Sequence, residues 1–307
     1  MNLKEIIKTV RRIELKTKSF SSQNFSGMDR STYKGLGMNF SEVREYHFGD
    51  ETRFIDWNVT ARYNSPHVKV FEEEKEHVNM FFIDVSKSLN FGEFSRTKKR
   101  VIIELFATLA FSCSMNQDKI GAIFFTNHVV KYFEPKKGKK HVWAMLKYFI
   151  ENEHHAPYSD ATSAFTFFQK TKWKKYRLFL LSDLIFPDSK RVIASLKKVK
   201  NRNQAFILRI HDEMENKLPI KGFYQLVNTE NGHSSWVNGF SGHTNRAMNK
   251  KIQKNIEFWE SECKNNHFHI TSISTKSDIY SKLKGGSCLI KIYLHLIRFN
   301  FCFFKIL

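Results

Sequence analysis

The chain has 307 residues, of which 41% are hydrophobic, enough for one large domain with an appendage or for two modest domains. Lysine and arginine number 50 against 30 acidic residues, a formal net charge of +20, which favours nucleic acid, anionic lipid or an acidic protein face as a partner. The lysines are scattered along the chain rather than gathered into the basic footprint of a nucleic-acid binder, so we expect no nucleic-acid partner.

The cysteines and the N-terminal segment bear on the compartment. The first 20 residues mix charged and apolar residues at helical spacing without an uninterrupted apolar core, so we expect neither a signal peptide nor a membrane span there. The cysteines form no CxxC pair and show no regular spacing, which predicts free thiols in a reducing compartment. They are Cys113, Cys263, Cys288 and Cys302. These features predict a cytoplasmic protein.

The first 76 residues form a lead-in to the main domain. Residues 1 to about 18 have apolar side chains at helical spacing and predict an amphipathic helix. Residues 21–37 are rich in Gly and Ser and predict a loop. Residues 38–76 carry short apolar-polar alternations broken by turn residues, which predicts short strands and turns.

From His77 onward, long apolar strands alternate with amphipathic helices. This alternation over about 200 residues predicts a doubly wound α/β domain, with a mostly parallel sheet covered on both faces. Strands are predicted at 78–83, 118–127, 129–133, 176–184, 204–211 and 268–275, and helices at 95–117, 139–152, 163–172, 188–201, 245–266 and 277–283.

Oxygen-bearing side chains follow two of the predicted strands. Asp84, Ser86 and Ser88 alternate directly after the first strand, and Asp183 ends a later one. In an open α/β sheet such strand ends meet at the carboxyl edge, where ligands bind. A third hydroxyl comes from Ser159 or Thr162 at the start of a helix. Hard oxygen ligands of this kind suit Mg²⁺, although the same residue types also cap helices and form turns.

This Asp-x-Ser-x-Ser pattern, with a later hydroxyl and Asp, resembles the metal-ion-dependent adhesion site of von Willebrand factor A-like domains. The lead-in is more specific, because it resembles the signature of the bacterial von Willebrand A-like family called domain of unknown function 58. The matching residues are Gly27, Ser31, Gly35, Gly37, Phe40, Arg44, Tyr46, Gly49, Asp50, Glu51, Arg53, Ile55, Asp56, Trp57, Ala61, Arg62, Val68, Phe71 and Glu74. The similarity runs from about residue 10 to about residue 285.

The resemblance implies a Rossmann-type fold and a magnesium site, with ligands at Asp84, Ser86, Ser88, Ser159 and Asp183. Ser159 stands where the family usually has Thr, and Thr162 stays open as the alternative. The resemblance also implies a non-enzymatic adaptor or co-chaperone, which binds an acidic protein ligand and works with a MoxR-type AAA+ ATPase in the maturation or remodelling of other proteins. Consistent with this, the sequence has neither a GxSxG elbow nor a GxxxxGK[ST] loop.

The domain organisation that we predict has three parts: residues 1–76 as helix and lead-in, 77–285 as the von Willebrand A-like domain, and 286–307 as an apolar tail. The tail contains Lys291, Arg298 and Lys305, so a spanning helix would bury a cation at a cost of about 2.5 to 3.5 kcal/mol. A peripheral amphipathic segment, a final strand and helix, and a non-native extension all stay open, and the first would bring the protein to the inner face of the membrane.

Several residues have a functional and a structural interpretation. Arg44 and Asp50 fit a binding site but are more typical of a salt-bridged turn, and Trp57 is expected in the core. His154–His155 and His267-x-His269 lack Cys or Glu at metal spacing, which favours surface and strand histidines. Two further functions remain as alternatives: a basic nucleic-acid-binding protein, and a structural subunit with an empty metal site.

Overall fold

The computed structural model divides the chain into two compact units, one of residues Met1–Ser21 with His77–Leu307 and one of residues Ser22–Glu76. The structure describes residues 5–15, 38–73, 77–90, 92–93, 96–153, 156, 159–173, 175–200, 204–212, 215, 223–227, 234–238, 242–277 and 279. The predicted apolar tail at 286–307 lies outside the described residues.

The smaller unit contains an antiparallel strand pair and one short helix. Strand β1 (Met38–Glu45) pairs with β2 (His67–Glu73), as the alternating pattern predicts. Helix α2 (Trp57–Tyr63) lies between them and was not predicted. Asp56 caps its N-terminus: the Asp56 side chain accepts hydrogen bonds from the backbone N–H groups of Asn58 and Val59 and so satisfies two of the free donors of the first turn.

Three residues of this unit, Arg44, Asp50 and Trp57, had competing interpretations. Arg44 forms a two-pronged salt bridge with Asp50, with N–O distances of 2.8 and 2.7 Å, which supports the structural interpretation of this turn. Gly49 precedes Asp50 with φ of +106°, a conformation that favours glycine. Trp57 is 71% exposed, so the expectation that it lies in the core is wrong. It is the first residue of α2, a helix none of whose residues is buried.

A six-stranded sheet forms the larger unit, and all its neighbouring strands run parallel except the antiparallel edge pair β6–β7. Its strands, in spatial order, are β12 (His269–Ser274), β9 (Gln204–His211), β8 (Arg177–Ser182), β3 (Val78–Asp84), β6 (Lys119–Phe125) and β7 (Val129–Lys136). The chain moves from β3 to one side and then returns to β8 on the other. The strand order therefore reverses at β3, which confirms the predicted doubly wound fold class.

Helices cover both faces of this sheet, and the sheet separates two apolar cores. The first core includes α1 (residues 5–15), α3 (Lys98–Met115) and α4 (Lys139–Glu151). The second includes α5 (Ala161–Gln169), α6 (Ser189–Lys200) and α7 (Gly242–Asn265). Every residue of β3 is buried, because a parallel strand packs against helices on both sides. This burial explains its continuous apolar run.

The remaining described elements are two short strand pairs and two 3-10 helices, Thr52–Phe54 and Lys87–Asn90. Strands β4 (Gly92–Glu93) and β5 (Arg96–Thr97) pair with each other, as do β10 (Phe223–Val227) and β11 (Ser234–Asn238); neither pair was predicted. Cys113 and Cys263 are buried free thiols. Among the described helices, none combines the length and apolar character that a membrane crossing needs.

Candidate metal centre

The candidate site is built around Asp84, the last residue of the central strand β3. Its side chain is completely buried and accepts three hydrogen bonds. The backbone N–H of Ser86 donates to Oδ1 at 2.9 Å, and the hydroxyls of Ser159 and Ser182 donate to Oδ2 at 2.9 and 2.8 Å. A carboxylate is therefore held at the carboxyl edge of the sheet, at the point where the strand order reverses.

The hydroxyls of the loop after β3 connect this carboxylate to the neighbouring strand β8. The Ser86 and Ser88 hydroxyl oxygens lie 3.0 Å apart, and the Ser88 hydroxyl donates to Oδ2 of Asp183 at 2.9 Å. Strands β3 and β8 pair in parallel, which places the residues at their carboxyl ends side by side. The structure thus brings Asp84, Ser86, Ser88, Ser159 and Asp183 into one hydrogen-bonded network.

The third hydroxyl had two candidates, and the structure places them differently. Ser159 is buried and bonds directly to Asp84. Thr162 lies in the first turn of α5, which Asp160 caps by accepting a bond from the Thr162 N–H at 2.9 Å. The Thr162 hydroxyl is buried and has no hydrogen-bond partner among the described residues. Ser159 therefore belongs to the hydrogen-bonded network. Thr162, three residues further along the chain, has a hydroxyl that takes no part in it.

The loop after β8 is held in an uncommon backbone conformation. Leu184 is buried with φ of +60°, which for a residue with a side chain costs roughly 1 to 2 kcal/mol. Its N–H donates to the Ser182 hydroxyl at 3.0 Å, and the Ile185 N–H donates to Oδ1 of Asp183 at 3.2 Å. Asn255 of α7 donates to the Leu184 carbonyl at 3.1 Å. These bonds fix the orientation of the Asp183 carboxylate.

Two buried carboxylates at one edge repel each other. Burial, followed by the negative charge of Asp183, raises the pKa of Asp84 from 3.8 to about 6, although hydrogen bonds from Ser86 and Ser182 act in the opposite direction. A positive charge placed between the two carboxylates would stabilise both in their ionised form.

Sequence reasoning missed two charged residues of the site. Lys98, the first residue of α3, is 1% exposed, and its Nζ lies 2.8 Å from Oδ2 of Asp183 and 2.5 Å from Oε1 of Glu215. Burial by itself lowers the pKa of Lys98, but the charges of Asp183 and Glu215 outweigh this and leave the pKa above its ordinary value of 10.5. The sequence did contain one signal for Lys98: it is a lysine in the first turn of a predicted helix, where the helix dipole disfavours cations.

The donor set fits a hard divalent cation. Within the described residues, no cluster of three or more His, Cys, Asp or Glu is positioned to bind a metal, so the candidate site depends on hydroxyl as well as carboxylate oxygens. Ser88 and Lys87 are partly or fully exposed, whereas Asp84 and Asp183 are buried, so the network reaches solvent through the Ser86–Ser88 loop. Asp84, Asp183 and the hydroxyls of Ser86, Ser88 and Ser159 or Thr162 would hold the cation.

The histidines considered as transition-metal ligands do not change this conclusion. His154 and His155 lie outside the described residues. His269 stacks on Phe206 with 5.1 Å between ring centroids, which agrees with a strand histidine.

Fold and site together define a class of protein: a doubly wound α/β domain with an oxygen-rich site where the strand order reverses. The chain belongs to the family described as "Protein of unknown function DUF58", whose model matches residues 42–257. This confirms the predicted family. The uncharacterized protein Rv1480 of Mycobacterium tuberculosis is 25% identical over 226 residues, which are 73% of this chain and 70% of the relative.

Two solved structures are also similar. BatB from Bacteroides thetaiotaomicron has a TM-score of 0.46 and 12% identity, covering 72% of this chain and 99% of that one. The VWA domain of SpRpn10 has a TM-score of 0.42 and 12% identity, covering 70% of this chain and 97% of that one.

Proposed function

We propose that the protein is a non-enzymatic interaction module that binds Mg²⁺ at the Asp84–Asp183 site and uses the bound ion to hold an acidic side chain of a partner protein. The observation that carries this proposal is the hydrogen-bonded network that joins Asp84, Ser159, Ser86, Ser88 and Asp183 at the edge of two adjacent strands. When bound, Mg²⁺ would supply a positive charge that a carboxylate of the partner can share.

The chain's own residues would perform the remaining tasks. The two buried aspartates would neutralise the charge of the ion. The hydroxyls of the loop after β3 would hold the ion on the solvent side of the site, because Ser88 is the partly exposed member of the network. The net charge of +20 would attract an acidic partner over a longer distance.

The partner that we propose is a MoxR-type AAA+ ATPase, together with an acidic protein ligand that the ATPase remodels or matures. Support for this assignment comes from the family resemblance of the lead-in and of the Asp-x-Ser-x-Ser loop. A role in binding rather than catalysis agrees with a sequence that carries neither a nucleophile elbow nor a phosphate-binding loop.

The experiment combines a metal titration with a binding assay. Wild-type protein is titrated with MnCl₂ as the probe, and its binding to the purified MoxR-type ATPase of the same genome is measured with Mg²⁺ and with EDTA. Asp84→Asn, which keeps the side-chain shape, should abolish both. Asp188→Asn is the control, because Asp188 is an exposed carboxylate that caps α6 through Arg191. Wild-type binding to the ATPase that is unaffected by EDTA and by Asp84→Asn would contradict the proposal.

One observation favours a second candidate function, a structural subunit that uses no metal. The ammonium group of Lys98 already supplies a positive charge to Asp183. This candidate predicts that neither MnCl₂ nor EDTA changes the melting temperature or the association of the protein.

A further inference from the structure

Lys98 is placed where a lysine is doubly unfavourable. It is the first residue of α3, so its charge lies at the positive end of the helix dipole, and its side chain is 1% exposed. An ammonium group is costly to bury unless it is paired with opposite charge and hydrogen-bonded. Both carboxylates that it contacts come from distant parts of the chain, Asp183 after β8 and Glu215 after β9.

The ammonium group of Lys98 contacts the same oxygen atom of Asp183 that the Ser86–Ser88 loop contacts. Lys98 Nζ lies 2.8 Å from Oδ2 of Asp183, and the Ser88 hydroxyl donates to this Oδ2 at 2.9 Å. A divalent cation that binds the Asp183 carboxylate would therefore lie close to the positive charge of Lys98, which is already bonded to this carboxylate. Arg209 on β9 is a further buried cation influenced by the charges of Asp183 and Glu215.

Glu215 gives Lys98 a second anchor that does not belong to the metal network. Its Oε1 lies 2.5 Å from Lys98 Nζ, and its Oε2 accepts the backbone N–H of Asp212 at 3.2 Å. The Asp212 carboxylate in turn accepts the Thr275 hydroxyl at 2.5 Å. Glu215 is thus fixed to the ends of β9 and β12, and it can keep the ammonium group paired if Asp183 turns to another cation.

We propose that Lys98 is a tethered counter-ion that competes with the divalent cation for Asp183, and that Glu215 is the residue that determines how strongly it competes. The inference rests on the proposed metal site and adds an affinity-setting pair to it. Lys98 keeps the Asp84–Asp183 edge stable without metal and weakens divalent binding, while Glu215 draws the ammonium group away from Asp183 and strengthens divalent binding.

The test is a titration with MnCl₂ at constant ionic strength, on the full chain, with four proteins: wild type, Lys98→Met, Glu215→Gln and Lys190→Met. Lys98→Met should bind Mn²⁺ at least about tenfold more tightly, since a nearby positive charge has been removed from the site. Glu215→Gln should bind several-fold more weakly, because Lys98 then interacts more strongly with Asp183. Lys190→Met is the control, since it removes an exposed lysine charge from α6, which carries none of the proposed ligands, and it should change the Kd by less than about threefold.

The opposite signs separate this inference from a purely structural role. If Lys98 only supported the fold, both variants would distort the edge and weaken Mn²⁺ binding, and that result would overturn the proposal. Melting temperatures provide a second readout: Lys98→Met should melt below wild type in EDTA, and MnCl₂ should raise its melting temperature by more than that of wild type. The double variant Lys98→Met with Glu215→Gln, which keeps the net charge, serves if the single variant does not fold.

The outcomes also separate this inference from the proposed function. Equal Mn²⁺ affinity in wild type and Lys98→Met overturns the counter-ion role and leaves the metal site intact. Binding by Lys98→Met together with no binding by wild type supports the counter-ion role and contradicts the metal-dependent function. No binding by either protein contradicts both.

Discussion

Asp84 shows how one residue can be unfavourable for the fold and useful for a site. Its carboxylate is completely buried beside Asp183, and Lys98 contacts Asp183 rather than Asp84. Burial, together with the negative charge of Asp183, makes ionisation of this carboxyl costly and raises its pKa to about 6. A site that binds a cation requires such uncompensated negative charge, because a fully neutralised pair would offer a cation little stabilisation.

This charge predicts how stability depends on pH in EDTA. Because the pKa of Asp84 is higher in the folded state, about 6, than its ordinary value of 3.8, the folded protein holds a proton between these values that the unfolded chain has released. The free energy of unfolding should therefore fall as pH rises from about 4 to 6. Asp84→Asn should remove this fall and exceed wild type at pH 7.5 by up to about 3 kcal/mol.

Urea unfolding at several pH values measures this effect, with Asp188→Asn as the exposed-carboxylate control. A pH dependence in Asp84→Asn equal to that of wild type would show that Asp84 is not the titrating group.

Variants at Ser159 and Thr162 can show which of the two supplies the third hydroxyl ligand of the proposed metal site. Ser159→Ala removes a donor to Asp84, and Thr162→Val removes a buried hydroxyl that has no hydrogen-bond partner among the described residues. We expect Ser159→Ala to weaken Mn²⁺ binding about tenfold or more and Thr162→Val to change it little. The reverse order, measured by the same titration, would assign the ligand to Thr162.

At the scale of elements, stacked aromatic rings tie the parallel strands together beneath the site. Phe81 of β3, Phe179 of β8 and Phe206 of β9 are direct neighbours in the strand registers, and their ring centroids are separated by 4.8 and 5.1 Å. His269 of β12 continues the stack on Phe206. Because the rings fix strands β3, β8 and β9 side by side, they also fix the strand ends that carry Asp84 and Asp183.

Removal of the central ring should therefore disturb both stability and the site. Phe179→Ala leaves a cavity in the middle of the stack and should lower the free energy of unfolding by about 3 to 5 kcal/mol. Phe167→Ala is the control on α5, because Phe167 is 38% exposed and should cost clearly less. Chemical denaturation of the two variants compares these costs, and equal losses would argue against a special role for the stack.

At the scale of the whole molecule, the N-terminal helix belongs with the sheet rather than with the segment that follows it. We predicted residues 1–76 as one lead-in, but Met1–Ser21 groups with His77–Leu307, and Ser22–Glu76 forms its own unit. Ile6, Val10 and Ile13 of α1 are buried in the first apolar core. Glu14 accepts a hydrogen bond from the Trp143 indole at 3.2 Å, and Glu5 pairs with Arg100 at 3.1 Å.

The docking of α1 predicts that a change at the N-terminus destabilises the sheet unit. Ile6→Ala should lower the free energy of unfolding by about 2 to 5 kcal/mol, because it leaves a cavity in the core shared with α3. Lys8→Ala, on the exposed side of the same helix, should have almost no effect. Thermal and urea unfolding of both variants test this, and an Ile6→Ala protein as stable as wild type would mean that α1 contributes little to the core.

Local sequence patterns were enough to predict most of the secondary structure of this protein. Continuous apolar runs and helical spacing predicted every strand of the central sheet and every helix described on its two faces, because burial on both sides of a parallel sheet requires those patterns. The convergence of Asp84 and Asp183 was also predictable, since parallel strands present their carboxyl ends at one edge. The use of this edge as a metal site stays a prediction.

Only the tertiary structure revealed the charges that surround the site and the position of α1. Lys98 pairs with carboxylates 85 and 117 residues further along the chain, and no local spacing signals an ion pair of that kind. The amphipathic pattern of α1 required a buried face but did not specify which surface covers it, because every apolar core offers the same driving force. Contacts between residues distant in sequence, and not any local pattern, decided both features.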